Sequence, residues 1–513
     1  MKKCIQHVLS IVLAFFALAT IATAATEQQK LTAIDNGLAN LAATQQSDGS
    51  WAYSGYEQAA TGAALLAFMS QKDKWGANAA AYQLVADKAV AYLLANATSN
   101  TVSTRNDGVN ICPGGTGSCQ GVYWYGNGES TYTTGLAAPA VATYALATYG
   151  PGAPNDVATT TGPLAGLTWG QIAQGITNEF SASQSSVING NREGGWRYFI
   201  PGNGDSDSST TQWAVISLIY DQTLGSVTPS AVIDDLIVWL AAVQVSGQGG
   251  AACYQPDDLL CEQSDTGSLL LGLNFVGAPL GNSQVQLALG FLNTNWTQTA
   301  NNTWYGNFGH PYAMWAVYKG LDTTIGLKDT TYITNFLTTC GYPNNPPGNP
   351  PGSVPCNWWE DYNEWLVVNQ NADGSFPGYA YWYGPLSTSW GVNILGATTV
   401  PVSCIVPSPS PVNFGNVHVN RIKKEVLTLT NNCSTRQTIG AVSLTNITGD
   451  PAAFTFHEYC NQPKGYLKSG HSCTIQVFFD SAAVGTDTAT LNVVTSAPGS
   501  PLQVPVTATG FKK

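Results

Sequence analysis

Carboxylates gather in this chain where they could move protons. The stretch Asp205-Ser-Asp-Ser-Ser-Thr-Thr-Gln-Trp-Ala-Val215 sets Asp205 and Asp207 two residues apart, directly before an apolar segment. A carboxylic acid held neutral by burial and a second carboxylate can protonate an alkene or a glycosidic oxygen. The same side chains also cap helices, accepting from the free N–H groups of a first turn. Both roles are open for Asp205 and Asp207. Comparable polar steps precede other apolar segments: Glu57/Gln58, Glu129/Ser130, Glu262/Asp265 and His310/Tyr312. Around one opening, two such carboxylates (Asp207 and Glu262, for example) could serve as acid and base on a glycosidic bond.

A repeat supplies the means of bringing them together. Six times between residues ~45 and ~395 an apolar helical segment ends in a Gly-plus-aromatic turn, and a second one follows. The turns are Asp48-Gly-Ser-Trp51, Val122-Tyr-Trp-Tyr-Gly126, Gly194-Gly-Trp196, Gly249-Gly-Ala-Ala-Cys-Tyr254, Trp304-Tyr-Gly-Asn-Phe308 and Asp373-Gly-Ser-Phe376. Periodicity pairs 31–43 with 58–68, 83–97 with 131–149, 169–186 with 209–221, 228–245 with 263–277, 282–296 with 310–321, and 358–370 with 387–397. First members carry charge (Asp87, Lys88, Asp234, Asp235), whereas second members are almost free of it, which predicts an outer and an inner layer. Stacked units cannot bury their apolar faces alone, so six hairpins predict a closed (α/α)6 toroid over residues 25–399. Thr331 to Thr339 breaks the period as an extra short helix or half of an interrupted one, and 341–355 reads as a loop.

In such a ring every turn lies on one rim, and six helix N-termini converge there with about half a positive charge each. Trp51, Trp124, Trp196, Tyr198, Tyr254, Trp304, Tyr381 and Trp382 fall in these turns, beside Glu129, His310 and Tyr312. An aromatic pocket with a few polar groups is the expected ligand site. The alternative is that the rings plug the fold beneath its turns.

Pro-rich 400–411 predicts a linker. Beyond it, 412–417, 425–430, 474–479 and 489–494 alternate with period two, and 502–508, interrupted by Pro505, reads as an edge strand. These features predict a small all-β, immunoglobulin-like sandwich over 412–513.

The chain has 513 residues, 44% hydrophobic and only 10% charged, enough for a large core and two or more domains. Lys2, Lys3, the apolar run to Ala22 and the Ala22-Thr-Ala24 step read as a signal peptide over residues 1–24, implying a secreted, periplasmic or cell-surface protein. No later stretch reaches a membrane-spanning length. A formal charge of −12 disfavours nucleic acid and anionic lipid as partners. Ten cysteines fall into neighbouring pairs, Cys112/Cys119, Cys253/Cys261, Cys340/Cys356, Cys404/Cys433 and Cys460/Cys473, and an exported chain implies disulfides whose connectivity is open. No Cys-x-x-Cys occurs, and His310 is the one histidine between residues 25 and 417, so neither a metal nor another cofactor is implied.

Gln46-Ser-Asp-Gly-Ser-Trp51 is similar to the Gln…Gly-x-Trp motif of the squalene-cyclase/prenyltransferase superfamily, and Gln370-Asn-Ala-Asp-Gly-Ser-Phe376 resembles it with Phe for Trp. The resemblance covers residues ~30–398 and implies an (α/α)6 toroid. Gly194-Gly-Trp196 followed by Asp205 and Asp207 resembles the squalene–hopene cyclase segment that carries an Asp-x-Asp-Asp-Thr acid motif. That match implies Asp207 as the acid and Asp205 as its neighbour, although Ser208 replaces the final Asp and the turn is shorter. Asn413-Phe-Gly-Asn-Val417 and Lys468-Ser-Gly-His-Ser-Cys-Thr-Ile475 resemble ASPM/Hydin-type immunoglobulin-like modules of bacterial surface proteins, implying a spacer or attachment domain. Three functions are compatible with these features: binding of a glycan, lipid or peptide at the rim; a carbohydrate lyase or hydrolase; and a terpenoid cyclase-like enzyme acting through Asp207.

Overall fold

A computed structural model describes residues 25–113, 117–186, 192–202, 204–245, 247–337, 357–401, 405–431, 437–460, 466–468, 470–480, 482–495 and 502–512. The expected signal peptide and Cys340, Cys356, Cys404 and Cys433 lie outside them. Among the described residues, twelve α-helices precede a C-terminal β region. They are α1 (Glu27–Thr44), α2 (Glu57–Ser70), α3 (Ala79–Ala95), α4 (Ser130–Tyr149), α5 (Trp169–Ser183) and α6 (Ser208–Gln222), then α7 (Ser230–Val243), α8 (Gln263–Phe275), α9 (Ser283–Thr294), α10 (Pro311–Thr324), α11 (Trp358–Asn369) and α12 (Pro385–Leu395). No helix occupies the described part of 331–339; Asp329 instead accepts the Thr331 and Tyr332 N–H groups in a turn.

Helix starts follow capping chemistry. Thr26 and Gln29 form a reciprocal capping box at α1, and Thr168 and Gln171 repeat it at α5. Even-numbered helices are buried almost throughout, whereas most odd-numbered ones bury a single face. Helix α2 packs on α4, α4 on α6, α6 on α8, α8 on α10, α10 on α12, and α12 back on α2. The odd-numbered helices lie against this cycle: α3 on α2 and α4, α5 on α4 and α6, α1 on α12.

A recurring stitch fixes the odd-numbered helices to one another. Gln45 Nε2, just past α1, donates to the Gly49 carbonyl of its own turn at 3.0 Å and to Val85 in α3 at 2.9 Å. Gln184 bonds Gly194 and Val232 in α7 in the same way, and Gln244 bonds Gly250 and Gln284 in α9. Gln370, after α11, donates to Gly374 and to Ala33 in α1, so the last odd-numbered helix is tied to the first. The residue homologous to Gln370 is thus Gln45, not the Gln46 of the sequence match; Gln46 Oε1 accepts from the Ser50 hydroxyl. The glycine of each of these four stitched turns has a left-handed φ, between +86° and +95°, and a Cβ there would overlap a backbone carbonyl of an adjacent odd-numbered helix. Those carbonyls are Lys88, Asp235, Leu287 and Asn36 for Gly49, Gly194, Gly250 and Gly374.

At the other end the chain after α12 crosses under the C-termini of the even-numbered helices. Thr398 O accepts from Tyr318 and Thr399 O from Tyr220, while the Val400 N–H donates to Asp322 at 3.2 Å.

Between α3 and α4 the sequence reading missed an antiparallel hairpin, β1 (Thr98–Val102) with β2 (Cys119–Tyr123), which packs on α5 and is closed by Cys112–Cys119. Beneath it Glu179 of α5 is buried and faces the Asn100 side chain. Burial lifts the Glu179 carboxyl to about 7, partly offset by Asn100. An acid whose proton is held more tightly when folded costs stability as pH rises from its ordinary 4.5 towards 7, and the whole cost stands above that. The cost is on the order of 3 kcal/mol. Glu179→Gln is therefore expected to raise unfolding free energy at pH 8 and to flatten its dependence between pH 5 and 7; equal denaturant midpoints at pH 8 would contradict this.

The β region forms two sheets. The first has order β4 (Val412–His418), β11 (Leu502–Phe511), β10 (Gly485–Thr495), β6 (Gln437–Thr448) and β8 (Tyr466–Leu467). The second has β3 (Ile405–Ser408), β5 (Lys423–Asn431), β9 (Ser472–Phe479) and β7 (Phe454–Glu458). Both sheets feed one core, in which Phe414, Leu427, Val477, Leu491 and Val504 are buried. Two expectations need correction. The 400–411 stretch is not all linker, because Ile405–Ser408 pairs with β5 as an edge strand, where Pro407 is tolerated. The strand holding Pro505 is interior, yet its neighbour β4 pairs only from Val506 onward, so the proline lies where one side is unpaired.

Cys112–Cys119, Cys253–Cys261 and Cys460–Cys473 close as neighbour pairs. Among the described residues no helix is long and apolar enough to cross a membrane.

Candidate functional site

The loops entering the even-numbered helices meet through side chains distant in sequence. Tyr132, in the first turn of α4, stacks on Tyr198 with centroids 6.0 Å apart and donates to Ser209 Oγ at 2.8 Å. Tyr312, in the first turn of α10, donates to the Ser209 carbonyl at 2.8 Å and stacks on Trp382 at 4.8 Å. Trp382 lies 4.9 Å from the His310 ring and 6.0 Å from Trp304. The hydroxyls of Tyr198 and Tyr254 are 2.6 Å apart, and Tyr53 packs on Tyr383 at 5.2 Å. These residues form one rim at the helix N-termini.

Asp207 is the N-cap of α6. Its Oδ1 accepts from the Thr210 N–H at 2.8 Å and from the Ser209 hydroxyl, and its Oδ2 from Arg197 Nη1 at 2.6 Å. A short bridge between Trp196 and Asp207 brings Arg197 to the carboxylate. Burial raises the Asp207 pKa, and the Arg197 charge offsets only part of the rise. Asp205 pairs with Arg192 at 2.8 Å and with Arg197 Nε at 3.3 Å. Arg197 lies over the Tyr198 ring at 4.6 Å and donates to the Tyr254 hydroxyl at 2.7 Å.

Glu262 caps α8, taking the Ser264 N–H at 2.6 Å and the Asp265 N–H at 2.8 Å. Asp265 is buried beside it with Oδ1 unpartnered, and burial followed by the Glu262 charge holds its carboxyl well above the ordinary range. The Asp207 and Glu262 carboxylates are thus turned into their own backbone amides. Glu129 differs. It precedes α4 without a side-chain cap, is half-buried, and has its pKa raised by burial and, behind a lowering contact from Tyr56, by Asp207.

His310 caps α10 through Nδ1, which accepts the Ala313 N–H at 3.3 Å, so Nε2 carries the proton and faces Thr303 O at 3.1 Å. Burial brings its pKa down to about 4, which leaves the imidazole neutral at pH 7.

The aromatic residues divide into two sets. Trp51, Trp124 and Trp196 are fully buried, and each indole N–H donates at 2.8 Å to the preceding odd-numbered helix, at Leu41, Leu93 and Phe180. Their backbone N–H groups donate to Thr61, Thr134 and Thr211 of the following helix. These three lock odd- to even-numbered helices and present no face to a ligand, which is the plugging alternative for them. Tyr198, Tyr254 and Trp382 are half-buried, Tyr312 is buried, and Trp304 is half exposed.

Sequence reasoning missed Arg197, whose signal was its place directly after a turn tryptophan, and Tyr132, hidden in a run of threonines. It also missed Lys319, buried in α10 with Nζ 2.9 Å from Gln212 Oε1 and 4.3 Å from the Trp213 ring. Burial holds that amine well below its ordinary pKa. Among the described residues no cluster of three His, Cys, Asp or Glu could hold a metal. A hollow of about 200 Å³ between Val90, Leu94, Tyr144, Tyr149 and Trp169 involves no rim residue.

No family model matches the chain, and no curated protein does. Among solved structures it is similar to the ASH/PapD-like domain 7 of human CEP192, at 15% identity over 22% of this chain and 89% of that one, with a TM-score of 0.18. The Vibrio cholerae VesB protease is 16% identical over 21% of this chain and 32% of its own, with a TM-score of 0.18. The Pseudomonas fluorescens alkylpurine DNA glycosylase AlkC covers 94% of this chain and 98% of that one at 8% identity and a TM-score of 0.14. Likeness at this level bears on neither fold nor function.

Proposed function

We propose that the chain is an exported (α/α)6 toroid of the squalene-cyclase/prenyltransferase type whose turn rim binds a ligand, with the immunoglobulin-like β module as spacer or cell-surface attachment. One observation carries this reading: aromatic residues from the loops at 53, 198, 254, 304 and 381–383 converge on one face, several of them with rings open to solvent. The closed cycle of even-numbered helices and the Gln370 stitch to α1 support the annular reading. Three disulfides support export.

Engagement of Asp207 and Glu262 as caps favours binding over acid catalysis by either. A second reading, a carbohydrate lyase or hydrolase, is favoured by Glu129, a half-buried carboxylate whose side chain caps no helix and whose proton affinity is raised. Incubating the protein with a polysaccharide panel separates the two. Binding without reducing-end release is expected. Release that is abolished by Glu129→Gln would replace the binding reading with the enzymatic one.

A further inference from the structure

Trp304, Tyr381 and Tyr383 are 50%, 65% and 49% exposed. Their backbones are fixed in that position. Tyr379 and Trp382 exchange N–H···O bonds of 2.9 Å across a tight turn, in which Ala380 takes a left-handed φ of +51°. The Tyr53 hydroxyl donates to the Tyr381 carbonyl, tying this turn to the loop before α2. Asn302 Oδ1 accepts from the Trp304 and Tyr305 N–H groups, each at 3.0 Å, and sets the Trp304 ring 6.1 Å from Tyr381. A rigid ledge of open rings loses little entropy when a ligand stacks on it.

We infer that this ledge binds an uncharged polysaccharide, by stacking of sugar rings on Trp304 and Tyr381. The inference rests on the reading that the rim is the ligand site. A pyranose presents a face of C–H groups to the electron-rich face of an aromatic ring, while its rim of hydroxyls stays hydrated or meets polar neighbours. Asn301 and Asn302, exposed and close to Trp304 in the chain, supply such neighbours. Arg197, the cation beside Tyr198 and Tyr254, is paired with Asp205 and Asp207, and the chain carries a formal charge of −12. Polyuronates, phospholipid headgroups and nucleic acids are therefore repelled. An acyl chain needs enclosure, which rings half open to water do not give.

The test is affinity electrophoresis of the full chain in native gels containing xyloglucan, galactomannan or mixed-linkage β-glucan, with alginate as the anionic comparison. Proline-rich peptide beads and phosphatidylcholine vesicles run in parallel. Retardation by at least one neutral polysaccharide is expected, at least 10-fold weaker in Trp304→Ala/Tyr381→Ala and retained in Trp304→Phe/Tyr381→Phe. Leu287→Ala, on the exposed face of α9, should behave as wild type. Binding of peptide or vesicles but of no neutral polysaccharide, lost in the double alanine variant, overturns the glycan while leaving the rim as a site. Retardation that the double variant leaves unchanged overturns both. Silence across every probe overturns the glycan as well.

Discussion

Gly194→Ala is expected to destabilise the helical region by several kcal/mol, on the order of 4–5, and to shift its denaturant midpoint accordingly. A left-handed φ alone costs a non-glycine residue only about 1 kcal/mol. The larger share comes from geometry: a Cβ at position 194 would overlap the Asp235 carbonyl, and no flexible side chain there can give way. Relief requires moving α7 away from the turn, which lengthens the Gln184–Val232 bond of the stitch. Gly225→Ala is the matched control, since its φ of +86° is similar and a Cβ there meets nothing within 4 Å. Its cost should stay near the conformational ~1 kcal/mol. Equal losses in the two variants would show that the close approach contributes nothing.

How far the sequence reveals this arrangement depends on the kind of interaction. Burial was legible, because charge is sparse in the helices that lose both faces to neighbours and commoner on those that keep one in water; Ala137 to Ala147 against Asp87 and Lys88 is the clearest contrast. Turn position was legible from Gly and aromatic residues. The use made of each turn aromatic was not. Trp51 and Phe308 both stand two residues after a turn glycine and both are buried, whereas Trp304, two residues before its glycine, is half exposed. An aromatic anywhere near a turn glycine looks the same by composition, and its spacing from that glycine is what separates the two fates. Spacing hid the stitch. Gln45 and Gln370 stand four residues before their glycines, but Gln184 stands ten before Gly194, although all make the same pair of bonds. Hairpin β1–β2 was obscured because Thr98-Ser-Asn-Thr-Val102 buries little apolar surface and looks like a loop.

Asp207 offers the second large effect, and it separates capping from acid chemistry. Truncation by Asp207→Ala removes the cap on Thr210 and leaves a largely enclosed Arg197 with fewer acceptors, and is expected to cost on the order of 3–5 kcal/mol. Asp207→Asn retains an oxygen for Thr210 but sets an amide donor against Arg197 Nη1, so it should cost nearly as much. In an Arg197→Met background that conflict disappears, and the buried carboxyl has lost the charge that favoured its ionised form. There Asp207→Asn should be close to neutral, within about 1 kcal/mol, while Asp207→Ala still loses the cap. A coupling energy of about 2–3 kcal/mol between positions 197 and 207, measured by denaturant unfolding of the four proteins in the cycle, identifies the residue as a charge-paired cap. No coupling, together with loss of a measured turnover in Asp207→Asn, would instead assign it to proton transfer.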